Sequence, residues 1–199
     1  MMAALFRHPA FKPIVFFLAL SPLAWIAWQL FVVQSSPDPA KYLVDNSGYW
    51  GMRLLWLCLL MTPLRYLTNE TGWIRIRRML GLFAFFYACI HVVSYWFLLF
   101  AAQWARIWEE LAKRPYVMLG MLAFTLLIPL AVTSTQAWQR RLKRNWRRLH
   151  QGIYLIAILV LMHFTWVKKL GLSATAFYAI SLAIMLGIRM VYHLRHKPS

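Results

Sequence analysis

Two histidines lie inside stretches that otherwise exclude charge. His91 sits within the apolar run 79–101, and His163 within 149–168, LHQGIYLIAILVLMHFTWVK. An ionisable side chain is costly in hydrocarbon and normally faces a bundle interior, where it marks a functional site. Counted from the basic collar before each run, His91 lies 13 residues past Arg78, and His163 lies 15 past Arg148. At 1.5 Å per helical residue both rings come about 20 Å in, at similar heights. Two level imidazoles on parallel helices are what a six-coordinate haem iron requires. The residues therefore predict that His91 and His163 bind haem through its iron, and that the protein moves electrons across a membrane.

Other candidate residues are less specific. Ala84, Ala88 and Gly81 lie near the His91 face of their helix, and Gly152 near the His163 face. Small residues there would let a flat macrocycle approach the backbone, though ordinary helix packing selects them too. His150 lies 13 residues before His163 and about 140° round an ideal helix from it. It is either a headgroup-level histidine beside Arg147 and Arg148 or a residue of a haem or flavin site. Arg75, Arg77 and Arg78 form either a membrane-orienting collar or an anion site for a flavin mononucleotide phosphate or a haem propionate. Arg53, Arg106 and Lys168 have the same two readings, propionate or partner contact against snorkelling. His8, His193 and His196 fall in basic termini.

Cys58 and Cys89 both lie in apolar runs, without zinc or redox spacing, and read as small buried hydrophobes. No phosphate loop, zinc-protease motif, haem-attachment motif or nucleophile elbow occurs. No carboxylate lies inside an apolar run, which counts against a proton-coupled transporter.

The elements that must position the histidines follow from composition. Of 199 residues, 62% are hydrophobic and 14% charged, against about 25% charged in soluble domains. The chain reads as an all-α integral membrane protein. A span needs roughly 20 apolar residues, and six candidates occur, at about 12–33, 48–67, 79–101, 116–135, 149–168 and 173–192. They form one bundle over 1–199, with no internal repeat expected. The first span is too long for a signal-peptide core and reads as an uncleaved helix.

The net charge of +17 is distributed between spans, which favours anionic lipid over nucleic acid as its partner. Alternate loops and the termini on one side hold 15 Lys and Arg, against 7 on the other. By the positive-inside rule both termini are cytoplasmic. The proline- and Asp-punctuated stretch QSSPDPAKYLVDNSG reads as a loop, and AQWARIWEELAKRP as an amphipathic interfacial piece carrying Trp104 and Trp108. Pro115 opens a helix. Pro129 is expected to kink it, with Thr133, Ser134 and Thr135 satisfying the freed backbone groups.

These stretches together carry a resemblance. LLMTPLR (59–65), IRIRRMLGL (74–82), HVVSY (91–95), RPYVMLG (114–120), LAVTSTQAWQRRL (130–142), WRRLH (146–150) and the later His163 resemble the MsrQ family. Its members are the haem-binding membrane subunits of MsrPQ protein-methionine-sulfoxide reductase systems, among the ferric-reductase-like transmembrane domains. The resemblance covers nearly the whole chain. It implies a bacterial inner-membrane subunit taking electrons from the quinone pool or a cytosolic flavin reductase. They would pass through haem b, one group or two, to a periplasmic molybdopterin-containing catalytic subunit like MsrP, which reduces methionine sulfoxide in oxidised proteins.

It also implies haem roles for His91 and His163, matches His150 to the family's third histidine, and ties Arg77 and Arg78 to FMN. Unlike the wider superfamily, the third helix here has one histidine rather than two, so an inner bis-histidine haem is not expected. No nucleotide-binding domain for hydride transfer is expected in these 199 residues. The alternatives are a ferric or other metal reductase and a cofactor-free membrane anchor for a partner.

Overall fold

The computed structural model describes residue 6 and residues 8–34, 36–168 and 172–195. His196, and Arg7, Lys169 and Lys197, which are counted in the charge asymmetry between the two sides, lie outside the described residues, as do the side chains of Trp104 and Lys168. Among the described residues all regular structure is helical.

Helix α1 (Phe11–Trp28) continues as a π-helical turn, Gln29–Val33. Pro22 inside it has no N–H for the Leu18 carbonyl, and the Ser21 hydroxyl donates to that carbonyl instead, at 3.0 Å. Tyr87, fully buried on a later helix, enters the ladder beside this break. Its hydroxyl accepts from Leu23 N–H at 2.9 Å and donates to Ala19 O at 3.1 Å.

Helix α2 is Pro39–Thr68, 30 residues. It absorbs most of the stretch expected to be a loop. Asp38 is its N-cap, accepting from Lys41 N–H at 3.0 Å, and Pro39 is its first residue. Asp-Pro is a start signal here rather than loop punctuation. Asn69, at φ 56°, ends the helix in the left-handed conformation. Helix α3 (Gly72–Ser94), extended by a π turn at Tyr95–Leu99, begins before the expected position 79, so the arginine collar lies on helix.

The interfacial piece forms helix α4 (Trp104–Lys113) with Trp108 exposed. Lys113 pairs with Glu109 and holds its carboxyl below the usual carboxylate range. Helix α5 is Pro115–Val132, opened by Pro115 as expected. Thr133 N–H and hydroxyl both donate to Pro129 O, at 3.0 and 2.6 Å, and Thr135 caps helix α6 (Gln136–Leu142). The Thr-Ser-Thr run thus closes one helix and opens the next. Helix α7 (Arg144–Gln151) meets helix α8 (Ile153–Lys168) at Gly152, and helix α9 is Leu172–Arg195.

Five segments are long and apolar enough to cross a membrane: Phe11–Val33, Gly72–Leu99, Pro115–Val132, Arg144–Val167 and Thr175–Arg195. Large apolar side chains such as Phe17, Phe31 and Phe177 point outward, a pattern suited to lipid rather than water. The expected span 48–67 falls within α2, which is not among the five. That helix carries Asp45, Asn46 and Arg53, but it buries Met52, Leu54, Leu55, Cys58 and Leu59 at the centre of the core. The most extensive helix contacts are α2 along α3, then α5 along α8. These two pairs carry the histidines.

Candidate functional site

His91 on α3 and His163 on α8 come together, their ring centres 6.3 Å apart and their planes 80° from parallel. Each ring lies against the helix paired with its own. His91 Nδ1 is 2.8 Å from Val44 O on α2. His163 Nδ1 is 2.7 Å from Tyr116 O on α5. A carbonyl only accepts, so Nδ1 donates in both rings and the lone pair of the neutral imidazole sits on Nε2. This is the outer hydrogen bond that fixes a metal-binding histidine's tautomer and orientation.

One turn beyond each carbonyl is a glycine. A Cβ at Gly48 would stand 2.8 Å from His91 Nδ1, and one at Gly120 would stand 2.8 Å from His163 Nδ1. Any other residue at either position would push the ring away. The two arrangements are copies: 44, 48 and 91 recur 72 residues later as 116, 120 and 163. The expectation of no internal repeat is therefore corrected. Side-chain identity hides the repeat, because only the glycine and the histidine are shared within these triplets.

The rings lie in a cavity of about 380 Å³ between the two helix pairs. Ala84 and Ala88 line it as expected. Gly81 and Gly152 do not: a Cβ on Gly81 would meet Cys58 Sγ, and one on Gly152 would meet Leu149 O. The small residues that matter most sit on the facing helices, which spacing along one helix does not reveal. The charged groups lining the cavity, among the described residues, are Lys41, Asp45 and Arg114. Arg53 instead stacks over the Tyr49 and Trp50 rings.

The donor set fits a haem iron. Metal–imidazole bonds of about 2.0 Å from both Nε2 atoms would leave the ring centres roughly 6 Å apart, as the His91 and His163 rings are. Among the described residues no three His, Cys, Asp or Glu side chains cluster to hold a bare metal ion. Two imidazoles alone suit an iron whose remaining ligands come from a macrocycle.

His150 lies elsewhere. It is half-buried at the basic end, stacked on Trp146 at 4.0 Å, with Nε2 3.1 Å from the Thr133 hydroxyl. Trp146 Nε1 donates to Thr133 O at 2.9 Å, so the α5 terminus holds His150 in place. Arg77 is among the charges acting on its ring, and the Arg77 carbonyl accepts from the Cys58 thiol. Arg78, one position on, lines a different cleft together with Lys12 and Arg75. The structure thus separates two arginines that are adjacent in the sequence.

Comparisons with known proteins bear on the whole arrangement. Residues 47–161 match the family described as Ferric reductase like transmembrane component, an interval holding Gly48, His91, Gly120 and His150. A protein of Xanthomonas axonopodis pv. citri (strain 306) named "Protein-methionine-sulfoxide reductase heme-binding subunit MsrQ" is 46% identical over 91% of this chain and 86% of its own. One of Polaromonas naphthalenivorans (strain CJ2) with the same name is 40% identical over 94% and 86%. The chain belongs to the MsrQ family, within the ferric-reductase-like transmembrane components.

Proposed function

We propose that this chain is a multi-pass inner-membrane subunit that carries electrons, through one haem b held by His91 and His163, to a molybdopterin-containing catalytic partner in the periplasm. That partner reduces methionine sulfoxide in oxidised proteins, and the donor is the quinone pool or a cytosolic flavin reductase. The observation that carries the reading is the duplicated cradle, in which a glycine and a backbone carbonyl on one helix orient a histidine on the next. When bound there, haem supplies one-electron chemistry at its iron. Val44 and Tyr116 carbonyls hold both imidazoles in the tautomer whose Nε2 lone pair can ligate. Lys41 and Arg114, which line the cavity, would supply cations for its propionates.

In this reading residues 1–199 are one domain of six spans, with α2 as the additional one and both termini cytoplasmic. At 1.5 Å per residue the 30 residues of α2 rise about 45 Å, enough to cross. The position 72 residues before His150 is Arg78, so no second histidine pair completes an inner haem. An FMN at the basic end would meet His150 and Arg77, with Arg78 on the side toward α1.

The test is a visible spectrum with iron and flavin quantitation on detergent-purified protein. Wild type should show a Soret band with one iron per chain, and His91→Ala or His163→Ala should lose most of it. His150→Ala and Arg77→Ala should lower flavin content and leave the haem. An unchanged Soret band in either axial variant overturns the haem assignment. Flavin-free wild type that turns over, with turnover surviving Arg77→Ala and Arg78→Ala, overturns the FMN placement.

A further inference from the structure

A second cleft, of about 600 Å³, opens sideways between α1 and α3 at the basic end. Its head is cationic. Lys12 comes from α1, and Arg75 and Arg78, one helical turn apart, come from α3; among the described residues no carboxylate lines it. Its wall is apolar and includes Phe16, Leu82 and Phe83. Phe6 borders the head through Arg75. The Phe6 ring lies over Gly72, where a Cβ would approach its Cγ to 2.0 Å, and packs edge-on against Trp73 and Phe11. Arg75 Nη1 donates to Phe6 O at 3.4 Å.

We propose that this cleft binds one anionic phospholipid from the adjoining leaflet, its phosphate among Lys12, Arg75 and Arg78 and an acyl chain along Phe16, Leu82 and Phe83. The inference does not depend on the haem reading, and it assigns Arg78 to the lipid cleft rather than to an FMN. A basic collar alone would orient the helices, but here cations from two helices converge at one end of an apolar channel. A neutral quinone head does not call for three cations. Free phosphate makes no use of an aromatic wall. Anionic headgroups attract such clusters, and acyl chains fill the apolar remainder.

The test uses full-length protein, delipidated in detergent and titrated with phosphatidylglycerol, phosphatidylcholine of the same chains, or inorganic phosphate. Native mass spectrometry counts the bound lipid and thermal unfolding reports binding. Wild type should retain one phosphatidylglycerol, bound about tenfold more tightly than phosphatidylcholine, with no competition from inorganic phosphate. Lys12→Gln with Arg75→Gln and Arg78→Gln should abolish the preference. Leu82→Trp should weaken phosphatidylglycerol with the cations intact. Arg140→Gln with Arg144→Gln, basic and exposed outside the cleft, should change nothing. If the triple variant does not fold, Lys12→Gln and Arg78→Gln, both exposed, should each reduce the preference singly. Equal affinity for both lipids overturns the site. So does equal loss in the Arg140/Arg144 variant, which would indicate a diffuse surface field, or displacement by inorganic phosphate, which would assign the cations to a soluble oxyanion.

Discussion

The smallest side chain carries the most specific information in this protein. Gly48 and Gly120 are helical residues with no turn to make. Elsewhere, alanine in a helix interior is worth about 1 kcal/mol over glycine. Here the added methyl would press on an imidazole at 2.8 Å. Gly48→Ala and Gly120→Ala are therefore expected to leave the helices intact by circular dichroism while haem per chain falls severalfold, read from the Soret absorbance. Full haem content in both variants would detach the glycines from the site.

At the level of helices, the internal prolines explain which side chains are buried between them. Pro63 has no N–H for Leu59 O, and that carbonyl accepts from the guanidinium of Arg189, 5% exposed on α9. The guanidinium also donates to the Tyr154 hydroxyl on α8. One arginine thereby ties three helices together through a backbone gap. Arg189→Met should destabilise the protein by about 1–3 kcal/mol in denaturant titration, the cost of leaving a buried carbonyl unpaired. In a Pro63→Ala background residue 63 regains an N–H, so the same substitution should cost measurably less. Additive effects would remove the link between Pro63 and Arg189. Tyr87→Phe removes the hydroxyl that bridges Leu23 N–H and Ala19 O, and is expected to cost a similar 1–3 kcal/mol.

Across the whole molecule, two helix pairs related by a 72-residue shift present their histidines to one cavity. The halves diverge below that level. His150 in the second has Arg78 as its counterpart in the first, so the basic end is asymmetric while the histidine level is nearly symmetric. The same end gathers Arg75, Arg77, Arg78, Arg147 and Arg148. Reporter fusions at the two termini should accordingly report the same, cytoplasmic, side. Opposite sides would mean that α2 does not span the membrane.

The amino-acid sequence by itself determined the helical class, five segments apolar enough to cross a membrane, and the pairing of His91 with His163. Hydropathy and charge are properties of local stretches, and the bilayer acts on them locally. Tertiary structure decided what each histidine touches. Gly48 and Val44 O lie far from His91 in the chain, so no periodicity along α3 points to them. It also decided that Asp38–Pro39 opens a helix, that Arg78 lines the cleft beside α1 while Arg77 does not, and that His150 is gripped by Thr133 and Trp146. Those outcomes depend on which faces of remote helices meet, and helix packing alone sets that.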